Sequence, residues 1–228
     1  MKNLIIIVLV SIGVVGGVVL LKNGKTSAPA NPTSHMYGNA GAQVKLVEFG
    51  DFQCPSCGSF FPVLEQLKAK YKDEISFQFV NYPLSQLHPN AQSAHRAAQA
   101  ASNQDKFWEM HDLLYKNQSS WKDNTNVSDT FSGYATQLGL DLVRYKKDFA
   151  SSETNSIIQA DIKTGQALKV TSTPTFFLNG KQIEDNNMVS TIEKFTAIIE
   201  AEILTKTGSP SKASTAAIPA AQVVPASN

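Results

Sequence analysis

Cys54 and Cys57 are the two cysteines of this 228-residue chain, and they stand together as Cys54-Pro55-Ser56-Cys57. Two cysteines placed at random in a chain of this length would fall at that spacing about one time in a hundred, which points to chemistry. With no third cysteine available as a structural partner, the pair is expected to cycle between dithiol and disulfide. Such a pair can donate, remove or shuffle disulfides in other proteins. Three other readings stand beside this one. A zinc site needs about four ligands, and His35, His88, His95 and His111 offer no second ligand pair beside the single CxxC. A structural disulfide closing so short a loop stabilises little. Two inert buried thiols would have to stay inert at the start of a helix.

The elements on either side explain why the pair should be reactive. Val44 to Phe49 is a short, mostly apolar run that reads as a buried strand. A strand ending just before Cys54 puts that residue at the first turn of the next helix, where unpaired N–H groups and the helix dipole favour an anion. The thiolate is the reactive form, so Cys54 is expected to have a lowered pKa and to be the attacking and attacked sulfur. Cys57, one turn further on, faces the interior and resolves mixed disulfides. The helix presents Phe60, Leu64, Leu67 and Tyr71 on one side and Glu65, Gln66, Lys68 and Lys72 on the other, with Pro62 expected to kink it. Ile75, Phe77 and Phe79 alternate with Ser76 and Gln78 as a second strand.

Pro83 to Lys169 reads as wholly helical. Pro89 suits a first turn ahead of an Ala-rich stretch to Ala101, and Phe107, Met110, His111 and Leu114 form a stripe. Further helices are expected over Ser128 to Leu138, Asp141 to Ala150 and Ser152 to Leu168, with Gly139 as a stop. Strand pattern returns at Thr175 to Leu178, and Asn179-Gly180 is a two-residue hairpin signal leading into Lys181 to Glu184. A last helix carries Ile192, Phe195, Ile199 and Ile203, with Ser190 and Glu193 fitting a capping box. The order is an α/β sheet protein with one large helical insertion.

Leu4 to Leu21 is an uncharged apolar run between Lys2 and Lys22. Its eighteen residues would span roughly 27 Å as a helix, close to a bilayer core and longer than a signal-peptide core of about 7–15 residues. Residues 1–22 are therefore expected to be a retained single-pass anchor in the lipid bilayer, with cleavage near Ala28-Pro29-Ala30 as the alternative. Residues 23–42 read as a flexible tether, 43–207 as the folded domain with its helical insertion at about 84–169, and 208–228 as a disordered tail. The net charge of +1 argues against a nucleic-acid partner.

The stretch Val47-Glu48-Phe49-Gly50-Asp51-Phe52-Gln53-Cys54-Pro55-Ser56-Cys57 resembles the active-site signature of DsbA-like thiol–disulfide oxidoreductases of the thioredoxin superfamily, in particular the membrane-tethered Gram-positive-type forms. Leu87-His88-Pro89-Asn90-Ala91 and Lys106-Phe107-Trp108-Glu109-Met110-His111 are similar to the start and middle of that family's helical insertion. Thr173-Pro174-Thr175-Phe176 is similar to its cis-proline loop. The likeness covers about Gly41 to Leu204. It implies a thioredoxin fold with a large helical insertion between its βαβ and ββα halves. It implies Cys54 as nucleophile, Cys57 as resolving cysteine, and Pro174 as the cis-proline facing them. Thr173 would touch the catalytic sulfur, and substrate would bind along Thr173, Pro174, Pro55 and Ser56. Glu48 would be the buried acid beneath the site, and its place on the Val44 and Leu46 face of the strand agrees with burial. The family's strongly oxidising type carries Pro-His between the cysteines, and here the dipeptide is Pro55-Ser56.

The function so implied is that of an extracytoplasmic thiol oxidase, on the outer side of the cell membrane, that introduces disulfides into reduced exported proteins. It would be a monomer with neither metal nor cofactor, and a membrane quinone-linked enzyme of the DsbB or vitamin-K-epoxide-reductase type would reoxidise it. A reductase or isomerase of the same fold is one alternative, and a non-enzymatic peptide-binding module is another.

Overall fold

The structure, a computed structural model, describes Thr33, residues 35–184, Val189 and residues 191–215. Its first half runs β1 (His35–Gly38), β2 (Val44–Gly50), α1 (Pro55–Tyr71) and β3 (Ile75–Asn81). Six helices follow: α2 (Ala91–Ser102), α3 (Phe107–Lys116), α4 (Gln118–Trp121), α5 (Val127–Gln137), α6 (Leu142–Ala150) and α7 (Ser152–Ala167). The chain then forms β4 (Thr175–Leu178), β5 (Lys181–Gln182) and α8 (Ile192–Thr207). The strands make one sheet in the order β1-β3-β2-β4-β5, parallel only between β2 and β3. The βαβ half, the helical insertion and the ββα half therefore follow one another as expected.

The sheet's side-chain alternation sorts two cores. Val44, Leu46 and Glu48 of β2 share a face with Phe77 and Phe79 of β3 and with Phe176 and Leu178 of β4, and this face carries the larger core together with α1, α3 and α8. Phe49, Val80 and Phe177 point the other way and pack with Tyr82, Ile162 and Val170. The alanines of α2 (Ala94, Ala97, Ala98, Ala100 and Ala101) are fully buried, so their small side chains let the insertion lie close against its neighbours. Gly139 takes φ of 70° after α5, and Asn179 and Gly180 take 48° and 81° between β4 and β5, the left-handed geometry of the two-residue hairpin turn.

Four expectations need correction. The segment expected as tether contains β1, which pairs antiparallel with β3. It is held by partners distant in sequence: His35 stacks on Phe107 with ring centroids 3.5 Å apart, and the Trp108 indole donates to the Met36 carbonyl at 3.0 Å. The start of the expected tail is also ordered, because the Glu74 carboxylate accepts from Ser211 Oγ and from the backbone N–H groups of Lys212 and Ala213. Lys68, expected on the polar side of α1, is buried; its Nζ pairs with Glu65 at 2.7 Å and lies 4.4 Å from the Trp108 ring centroid and 4.8 Å from that of Tyr37. The last helix, α8, caps on Thr191, whose hydroxyl accepts from Lys194 N–H, one residue after the expected Ser190. Ser190, the anchor at 4–21 and the tail beyond residue 215 lie outside the described residues. Among the described residues no helix is long and apolar enough to cross a membrane.

His35, His95 and His111 are buried, and burial pulls each imidazole down from 6.5 to about 4. Their contribution to stability is complete above about 6.5 and is lost as pH falls through about 4, because the unfolded chain binds these protons first. Glu48 acts in the opposite sense, since burial raises it from 4.5 to about 8 and the native state keeps its proton longer. His111→Phe, placed among Phe52, Phe79 and Tyr115, should flatten the fall in urea-unfolding midpoint between pH 6.5 and pH 4. An unchanged slope in that variant would contradict the assignment.

Candidate active site

Residue 54 occupies the N-cap of α1, with φ of −64° and ψ of 123°, and Pro55 opens the helix with a fixed φ and no N–H to satisfy. The sequence offers no hydroxyl or carboxylate cap there, so the first-turn N–H groups face a sulfur. Both cysteines are in the free thiol form. Cys54 is held down at about 5 from an ordinary 9.0. The hydrogen bond from the Cys57 thiol is the main cause, with help from the Thr173 side chain and from the Cys57 and Ser56 N–H groups, while partial burial opposes it. Cys57 is 1% exposed, and burial pushes its thiol well above the usual range, reinforced by the Cys54 sulfur it bonds to and by Glu48. One sulfur is thus poised as an anion and the other keeps its proton.

The loop before β4 closes over this pair. The Thr173–Pro174 peptide is cis, and the Thr173 carbonyl accepts from Cys54 Sγ at 3.3 Å. Thr173 and Pro174 are buried, whereas Pro55 and Ser56, next to Cys54 in the chain, are exposed. Cys54, Cys57, Thr173, Pro174, Pro55 and Ser56 therefore form one constellation.

Glu48 lies below, two residues before the end of β2, with Phe79 of β3 and Phe176 of β4 as its direct strand neighbours. It is 1% exposed, and neither carboxyl oxygen has a hydrogen-bond partner among the described residues. An unpartnered carboxyl in apolar surroundings favours its neutral form. Burial accordingly raises Glu48 to about 8, with Lys68 opposing and the Cys54 sulfur adding to the shift. Gly50 leaves room for this carboxyl, since a Cβ there would lie 3.1 Å from Glu48 Oε1 and 2.4 Å from the Phe79 ring.

Sequence reasoning missed a second set of residues around the cysteines. The buried Asp51 carboxylate accepts from the N–H groups of Gln53 and Leu84, both at 2.8 Å, and shares a 2.7 Å bond with His88 Nδ1. The Gln53 amide donates to the Lys122 carbonyl and accepts from Asn90 N–H, and the Asn90 amide donates to the carbonyls of Lys122 and Asn124. Gln118 donates to the carbonyls of Phe52 and Cys54. Asp51, Gln53 and Asn90 stood out only as members of the quoted stretches, and Gln118 carried no expectation. The available signal was weak: polar residues just before the cysteine pair and within the expected helical insertion.

A family model described as Thioredoxin matches residues 30–201. A Na(+)/H(+) antiporter, NhaA 1, from Salinispora arenicola is 38% identical over 155 residues, which are 68% of this chain and 23% of that relative. The chain thus spans about a quarter of the length of the curated relatives it matches. Among solved structures, BdbD from Bacillus subtilis in its oxidised form is 24% identical, with TM-score 0.63 and coverage of 77% of this chain and 97% of that one. The alpha-DsbA1 of Wolbachia pipientis is 19% identical, with TM-score 0.66 and coverage of 78% and 95%. The chain belongs to the thioredoxin family, and its fold is that of the DsbA-type thiol–disulfide oxidoreductases.

Proposed function

We propose that the protein is a thiol oxidase that introduces disulfides into reduced exported proteins, working on the extracytoplasmic side of the cell membrane to which residues 4–21 anchor it. The observation that carries the reading is the opposite bias of two adjacent sulfurs, with Cys54 lowered to about 5 and Cys57 raised. An acidic thiol is a good leaving group, and a stabilised reduced form makes the disulfide a stronger oxidant.

In the oxidised enzyme a substrate thiolate attacks Cys54 Sγ, a substrate–Cys54 bond forms and the Cys54–Cys57 bond breaks. Cys57 leaves with the bonding electron pair and takes a proton. Glu48, protonated at neutral pH because burial raises it to about 8, would supply that proton. An extended substrate segment would lie along the cis Thr173–Pro174 loop, beside exposed Pro55 and Ser56. A second substrate thiolate then attacks the substrate sulfur, and Cys54 departs as its thiolate. The substrate has lost two electrons and the enzyme has gained them. A quinone-linked membrane enzyme of the DsbB or vitamin-K-epoxide-reductase type would take those electrons and restore the disulfide.

Iodoacetamide alkylation of the reduced protein should modify Cys54 and spare Cys57, with the rate half-maximal near pH 5 and flat through neutrality. A half-maximum near pH 9 would remove the basis of the reading. Oxidised protein should speed the refolding of a reduced, disulfide-requiring substrate, and Cys54→Ala should leave only the uncatalysed rate. A reduction potential near thioredoxin's value of about −270 mV would argue for a reductase instead. Glu48→Gln should slow reduction of the enzyme disulfide by about tenfold at neutral pH. In the wild type that rate, corrected for attacking thiolate, should fall as pH rises through about 8, and Glu48→Gln should lack this limb. The same pH limb in the variant would exclude Glu48 as the proton donor.

A further inference from the structure

Gln118 opens α4 in the helical insertion and reaches the active-site turn. Its Nε2 donates to the Phe52 carbonyl at 2.8 Å and to the Cys54 carbonyl at 2.9 Å. The amide lies against Gly58, where a Cβ would come within 2.5 Å of Gln118 Oε1. The base of the side chain is itself fixed. Trp121, fully buried on the same short helix, packs on Phe131 and donates its indole N–H to Leu114 at 2.8 Å, and the Asn117 amide donates to Leu113 at 2.8 Å.

The peptide after Cys54 has little else to hold it. Pro55 contributes no N–H, so the Cys54–Pro55 peptide is held through its oxygen. That oxygen accepts from Gly58 N–H at 3.1 Å and from Gln118. The N–H groups of Ser56 and Cys57 stabilise the sulfur only while residue 54 keeps its extended cap geometry.

We propose that Gln118 is a positioning residue, supplied by the helical insertion, that locks the Cys54 backbone in its thiolate-stabilising conformation and so sets the reactivity and redox poise of the pair. The proposal rests on the thiol–disulfide exchange reading above. It makes α4 part of the redox site, and the small residue at position 58 becomes the space that admits the clamp.

The test uses the full chain, reduced, with Gln118→Ala, Gln118→Met and Gly58→Ala. Met keeps length and volume without the donor, and Ala at 58 displaces the amide from the α1 side. The readouts are the thiolate titration of Cys54 by ultraviolet absorbance and the equilibrium with glutathione. Each variant should raise the titration midpoint by about one unit and move the glutathione equilibrium about tenfold toward the protein disulfide, about 30 mV. Gly58→Ala added to Gln118→Ala should do less than it does alone, because both remove one contact. An acidic Cys54 in the wild type with unchanged midpoint and equilibrium in the variants would overturn the proposal and leave the exchange reading standing, even if their unfolding midpoints fell. An ordinary thiol in the wild type would overturn both.

Discussion

A sulfur at the first turn of α1 meets N–H groups that a serine or aspartate would ordinarily cap, and the surrounding structure keeps that meeting in place. β2, the central strand, carries the chain to one end of the sheet and stops. Asp51 turns it, Pro55 starts the helix, and the Thr173–Pro174 loop closes the other side. The partner sulfur stays protonated because it is buried and because it donates to the first. The asymmetry between the two cysteines is therefore one of position: one sits at the mouth of a helix and the other one turn inside it.

Much of this was legible in the residues. The CxxC spacing, the apolar run before it, the 3.6 periodicity after it and the Asn179-Gly180 turn led to the right elements, and the alternation of Val44, Leu46 and Glu48 gave the acid's face. The cis state of Pro174 came from resemblance alone, since no local residue pattern specifies it. β1 was not legible, because His35-Met36-Tyr37-Gly38 has no period of its own and becomes a strand only against β3, Phe107 and Trp108. Lys68 was placed in water by charge, and the aromatic rings of Tyr37, Phe77 and Trp108 with Glu65 accommodate it inside. Asp51, Gln53, Asn90 and Gln118 could not be identified locally. Their roles depend on carbonyls and N–H groups more than thirty residues away.

Polar groups inside this core fall into two kinds. Asp161 is fully satisfied, accepting from the N–H and hydroxyl of Thr33 and from the N–H and amide of Asn81, and Asn81 in turn meets His95 Nδ1 at 2.7 Å. That network ties β3, α2, α7 and the chain before β1 together. Glu48, by contrast, has no hydrogen-bond partner for either oxygen among the described residues, and its charge is coupled to both sulfurs. A satisfied buried acid adds to structure, whereas an unsatisfied one costs stability and favours its protonated form.

The turn at residues 51–54 is stitched to three remote stretches of chain: Leu84 to Asn90, Gln118 to Lys122, and Thr173. An inserted unit that shares bonds with the reacting turn cannot melt separately and leave the chemistry intact. Opening of the insertion, even as a local fluctuation, would release the turn that holds the sulfur pair, so the two are coupled through these bonds.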